Sequence, residues 1–136
     1  MKITADTNVL LRAVVQDDAE QAHAAQMLLE RATVIAVPIP VFCEFAWVLK
    51  RAYARDAEDV AAAIKAIAEI EAVTTDLPAV EAGLAALRAG GDFADGVIAY
   101  QGEDLGGTVF ASFDRLAVAW LQGAGTAAAD PADPSA

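Results

Sequence analysis

Four acids occupy positions where their chemistry could be put to use. Asp6 closes the short stretch KITAD, Glu44 interrupts the apolar run VFCEFAWVL, Asp95 stands inside GDFADGVIAY, and Asp114 follows TVFAS within SFDRLA. Carboxylates gathered within a few ångströms cannot all stay ionised without cations, because each raises the others' pKa. A hard divalent ion such as Mg²⁺ or Mn²⁺ relieves that repulsion, since it prefers carboxylate and water oxygens. An ion held between acids and substrate phosphates can activate a water and stabilise the leaving oxygen of a phosphodiester. The chemistry implied is hydrolytic phosphoryl transfer. A single cysteine, Cys43, and a single histidine, His23, exclude an internal disulfide and a Cys/His zinc centre.

Each acid also has a purely structural role open to it. Asp6 can close its strand as an Asx turn, with Thr7 or Asn8 capping the helix that follows. Asp114 can cap a last short helix. In GDFADGVIAY, an N-cap accounts completely for Asp92, whereas Asp95, one turn later at the same positive helix end, is explained only in part. On a helical wheel Glu44 is bounded by Val41 and Val48 on one side and Trp47 on the other, so apolar surroundings are expected; the alternative is a helix edge with its head in water. Arg51 shares that wheel angle two turns away, beyond the favourable i+3 or i+4 pairing.

The elements that must position these acids follow from periodicity and punctuation. KITAD reads as a strand, VLLRAVVQ as a helix, and Asp17 or Asp18 as the cap of a second helix to about Arg31. TVIAVP at 33–38 is a β-branched strand bounded by proline, and Pro40 fits the first turn of a helix to about Tyr53. Asp56 and Asp59 resemble a capping box before Val60, Ala63, Ile64 and Ile67, a helix to about Ile70. A short segment at Ala72–Thr74 precedes a helix through Val80, Leu84 and Leu87, stopped by Gly90-Gly91. GDFADGVIAYQ opens the next helix, Gly106-Gly107 ends it, TVFAS is a strand, and DRLAVAWL is a last helix. From Gly123 the tail GAGTAAADPADPSA has the composition of disorder. Gly96, beside Asp95, lowers helix propensity by up to about 1 kcal/mol relative to Ala, which loosens the first turn or admits a close approach of backbone or substrate. Strands alternating with helices argue for an α/β layer fold with a mostly parallel sheet, whose ligands bind beyond the carboxyl ends of the strands. Asp6 and Asp114 both follow such ends.

With 136 residues the chain fits one ordinary domain, expected over residues 1–122. No apolar run reaches the roughly 20 residues that span a bilayer, and MKITADTNVL meets Asp6 before a signal-peptide core could form, so a cytoplasmic location is expected. Nine Lys and Arg against twenty Asp and Glu give a formal charge of −11. That sign counts against coating of nucleic acid by bulk electrostatics, leaves room for a nuclease whose local site is neutralised by cations, and favours a partner with a basic segment.

ADTNVLLR at 5–12, CEFAWVL at 43–49, DFADGVIAY at 92–100 and SFDRLA at 112–117 resemble, in order and spacing, the four motifs of the PIN-domain family, most closely VapC-type ribonuclease toxins of bacterial toxin–antitoxin pairs. The resemblance covers nearly all of the chain to about residue 122. It implies a three-layer α/β/α fold, a Mg²⁺- or Mn²⁺-dependent endoribonuclease, and a homodimer. It also implies inhibition by a cognate antitoxin whose C-terminal segment lies across the active site. By position Asp6, Glu44, Asp95 and Asp114 become the catalytic, metal-holding quartet, and Thr7, Asn8 and Ser112 the small polar residues that orient it. Where the family often has Thr, this chain has Ser112, which keeps the hydroxyl.

Other residues are set aside. His23 has no catalytic company and suits a surface or boundary position. Cys43 reads as a packed thiol, and Trp47 and Phe45 as core or dimer contacts. Arg12, Lys50, Arg51 and Arg115 could touch RNA phosphate, but none stands out alone. A competing non-catalytic function is a PIN-like subunit acting in an antitoxin complex on operator DNA, with the partner supplying the DNA contact. Haloacid dehalogenase-type phosphatases need an acid where Asn8 stands, and receiver domains need a late Lys, whereas none follows Lys65.

Overall fold

A computed structural model describes residues 1–133. Its contacts divide the chain into two compact units, Met1–Leu77 and Pro78–Ala136. In the first unit, β1 (Lys2–Thr4), β2 (Val34–Ala36) and β3 (Val73–Thr74) form a parallel sheet in that order, with Ile3 opposite Ile35 and Ala36 opposite Thr74. The helices α1 (Thr7–Val14) and α2 (Ala19–Arg31) lead from β1 to β2, and α3 (Ile39–Arg51) and α4 (Ala57–Ala68) from β2 to β3. Such long crossovers are what parallel neighbours require. α1 packs on α2 and α3, and α3 on α4.

The core of this unit is aliphatic and aromatic. Ile35 and Val37, Leu10 and Leu11 of α1, Phe42, Phe45 and Leu49 of α3, and Val60, Ile64 and Ile67 of α4 are all buried. In α3 and α4 the spacings of three and four residues keep each set on one helix face. The starts of α2 and α4 are fixed by caps: the Gln21 N–H donates to the Asp18 carboxylate at 3.0 Å and the Asp59 N–H to that of Asp56 at 2.8 Å. Each satisfies a donor that the helix itself leaves free. Beyond α3 the chain reverses through Ala54, whose φ of +51° is in the left-handed region.

The second unit contains α5 (Leu77–Arg88, from the unit boundary), α6 (Phe93–Asp104), β4 (Phe110–Ala111), α7 (Arg115–Gly123) and β5 (Ala128–Ala129). Small residues bring its helices close. A Cβ on Gly96 would lie 2.6 Å from the Ala82 carbonyl oxygen and 2.6 Å from the Ala86 Cβ, so α6 crosses α5 backbone against side-chain stub. Gly83 faces the Phe93 ring and Gly91 the Trp120 indole in the same way. The close-approach alternative for Gly96 is therefore the one the fold uses.

One expectation is corrected here. From composition the segment after Gly123 should lack structure, yet Ala128–Ala129 pairs in parallel with β4, Phe110 opposite Ala128. The pairing is made by the backbone: the Phe110 N–H donates to the Ala127 carbonyl at 2.9 Å and the Ser112 N–H to that of Ala129 at 3.0 Å. Arg115 pairs with Asp130 at 3.5 Å, and the Gln122 side-chain amide donates to the Ala128 carbonyl at 2.7 Å. Residues 134–136 of that tail lie outside the described residues. Among the described residues, no helix is long and apolar enough to cross a membrane.

Candidate active site

In the first unit, Asp6 lies just beyond the carboxyl end of β1, held there by the Ala5 N–H donating to the Ala36 carbonyl at 2.9 Å. It is the N-cap of α1, but its side chain makes no capping hydrogen bond; only its carbonyl takes the Val9 and Leu10 N–H groups. The Asx-turn role is therefore not filled, and the exposed carboxylate stays available to a ligand. Thr7 is buried at 3 % exposure and Asn8 is exposed.

Glu44 is on α3, and its expected apolar setting is not found. The arc that meets the core is Phe42, Phe45, Ala46 and Leu49, on the opposite side of the wheel, so Glu44 projects into water. Trp47 is no core residue either: it is 58 % exposed, one turn along the same face, whereas Phe45 is fully buried. His23 is exposed and Cys43 half-buried.

The second unit separates the two acids of GDFADGVIAY. Asp92 is the N-cap of α6, accepting the Ala94 N–H at 2.8 Å. Asp95, in the first turn, takes no part in capping and is half-buried. Burial pushes its carboxyl above the ordinary value, and the negative charges of Asp92 and Asp114 push the same way. A cation beside such an acid would offset the like charges that raise it.

Asp114 follows β4 and caps α7, its Oδ1 accepting the Leu116 and Ala117 N–H groups at 3.0 and 3.2 Å. Its own N–H donates to the Ser112 Oγ at 3.0 Å, which fixes the turn that presents it. Capping engages one carboxylate oxygen and leaves Oδ2 unbonded among the described residues. Capping and ligation are thus compatible in this acid.

The structure brings Asp95 and Asp114 into electrostatic range of each other. Among the described residues it gathers no group of three or more His, Cys, Asp or Glu side chains that could hold a metal ion. The pair still fits a hard divalent cation, because Mg²⁺ keeps several waters and takes only one or two carboxylates alongside substrate phosphates. An all-oxygen donor set with a raised acid suits that ion and disfavours copper or zinc.

Periodicity alone did not pick out two residues beside Asp114. Phe113 and Leu116 are 75 % and 80 % exposed. The signal was available, because Ala117, Val118 and Leu121 form the buried stripe of α7 and leave Leu116 off it.

The family description "PIN domain" matches residues 3–117. A search of curated proteins returns no match.

Proposed function

The chain belongs to the PIN-domain family, and from that premise we propose that it is an endoribonuclease using Mg²⁺ or Mn²⁺, the VapC-type toxin of a toxin–antitoxin pair. PIN domains are generally metal-dependent nucleases. The observation that carries the proposal is the state of Asp95: half-buried, taking no part in capping, and with its carboxyl raised first by burial and then by the charges of Asp92 and Asp114, the second of which is itself the acid of another family motif.

In this proposal Asp95 and Asp114 would hold the metal, and Asp6 and Glu44 are carried over as catalytic residues by motif position alone. When bound, the metal supplies water activation and charge stabilisation at the phosphodiester. The chain's own residues do the positioning. Ser112 fixes the Asp114 turn, the α6 N-terminus favours negative charge at Asp95, and Thr7 and Asn8 open α1 directly after Asp6.

The partners proposed are RNA, a second copy of the chain, and an antitoxin with a basic segment, working in the cytoplasm. The net charge of −11 and the exposed Phe113 and Leu116 beside Asp114 suit a basic peptide with apolar anchors. The test is cleavage of total cellular RNA by the purified chain, freed of partner. Cutting should require Mg²⁺ or Mn²⁺ and be abolished by Asp6→Asn or Asp95→Asn. Cutting that persists in EDTA sinks the proposal, and operator binding without cleavage by the freed chain favours the non-catalytic subunit.

A further inference from the structure

The helix face that carries Glu44 also carries residues that the proposed nuclease chemistry leaves unused. Along α3, Glu44, Trp47, Lys50 and Arg51 are all exposed, while Phe42, Phe45, Ala46 and Leu49 take the opposite side to the core. Glu44, Trp47 and Arg51 lie at i, i+3 and i+7, which is one ridge of an α-helix, roughly 10 Å long from first to last.

The charge along this segment runs against that of the chain. Residues 31–55 contain four cations, Arg31, Lys50, Arg51 and Arg55, and a single acid, Glu44, in a protein of net charge −11. Lys50, Arg51 and Arg55 make no ion pair among the described residues. Two acids of this unit have other partners: Asp17 with Arg12 and the Tyr53 hydroxyl, and Asp56 with the start of α4. An exposed indole next to unpaired cations is what single-stranded nucleic acid binds, because every base has a face to stack and every linkage a phosphate.

We propose that this ridge is a track for single-stranded RNA leading to Glu44, with a base stacked on Trp47 and neighbouring phosphates held by Lys50 and Arg51. The proposal rests on the nuclease function above and names the residues that position its substrate. Trp47 and the two cations are positioning residues; their interactions lie away from the reacting bond. Trp47→Ala should therefore raise KM and leave kcat nearly unchanged, the pattern of uniform binding lost. A duplex hides its base faces and should compete poorly.

The test measures binding of a short, fluorescein-labelled, unpaired RNA of mixed sequence by anisotropy, in an Asp95→Asn background that does not cut. Trp47→Ala should weaken binding roughly 5- to 150-fold, the range expected for one lost stack. Trp47→Phe should recover most of the loss. Lys50→Ala and Arg51→Ala should each reduce the slope of log affinity against log salt by about 0.7. Circular dichroism should be unchanged, since the indole is 58 % exposed.

Parent affinity in Trp47→Ala overturns the proposal. So does a variant that falls from dimer to monomer in light scattering while its RNA binding is preserved, because the face then belongs to a second copy. The two layers of inference separate cleanly. A parent chain that cuts RNA with a Trp47→Ala variant of equal KM removes the track and keeps the nuclease. A parent that binds through Trp47 yet never cuts with metal removes the nuclease and keeps the track.

Discussion

Gly96 sits one residue after the acid on which the proposed chemistry depends, and replacing it by alanine sets two effects of opposite sign against each other. Helix propensity favours Ala over Gly in a helix interior by up to about 1 kcal/mol. Packing opposes it, because the new Cβ would stand 2.6 Å from the Ala82 carbonyl oxygen and from the Ala86 Cβ, and neither is a flexible side-chain end that can swing away. Overpacking of this kind typically costs about 1–3 kcal/mol. Gly96→Ala should therefore be destabilised on balance, by up to about 2 kcal/mol. Gly102 lies in the same helix with nothing within 4 Å of the Cβ it would gain, so Gly102→Ala should be stabilised by up to about 1 kcal/mol. Urea unfolding reads both as midpoint shifts at constant slope, one down and one up. Midpoints that move upward together, by similar amounts, would refute the close crossing of α5 and α6. The Asp95 carboxylate rides on that crossing, so cleavage by Gly96→Ala should fall more than its stability does.

Three further outcomes follow from the caps, the raised acid and the left-handed alanine. Asp95 binds its proton more tightly in the folded chain than in the unfolded one, so its contribution to stability is present in acid and is lost as pH rises through its folded pKa. Asp95→Asn should then raise stability at neutral pH and lose that advantage below the ordinary aspartate range, as followed by urea midpoints against pH. Asp92→Ala should lower stability by about 1 kcal/mol through loss of the cap while metal-dependent cutting survives, measured by denaturation and an RNA cleavage gel. Cleavage lost to the same extent as in Asp95→Asn would erase the division between the two acids. Ala54→Gly should leave stability unchanged or raise it by up to about 1 kcal/mol, because a left-handed φ is strained for alanine and free for glycine; a thermal melt shows the sign.

The order of elements was legible because capping acids and helical spacings are local signals. Asp18, Asp56, Asp92 and Asp114 all cap the helices that follow them, and the β-branched TVIAVP supplies the central strand. Family membership bears out the α/β class and the PIN fold. The two acids of GDFADGVIAY also separate as capping logic suggests. The setting of Glu44 was not legible, because α3 is apolar nearly all round: Val41 and Val48 compete with Phe42, Phe45 and Leu49 for the core. Only packing against α1 and α4 selects the winning arc. The β5 strand was hidden for another reason. Its bonds to β4 come from main-chain groups of alanines, and side-chain composition carries no record of them.

The β4–β5 pair also has a consequence in time. On the ribosome, every strand of the first unit's sheet exists once Thr74 has been made, so that sheet can close early. β4 must wait, since the carbonyl that receives the Ser112 N–H belongs to Ala129. The turn presenting Asp114 is translated well before the strand that braces it, and a nascent chain carrying all four acids still lacks that brace. The strand that braces the Asp114 turn is thus the last described element of the second unit to be made.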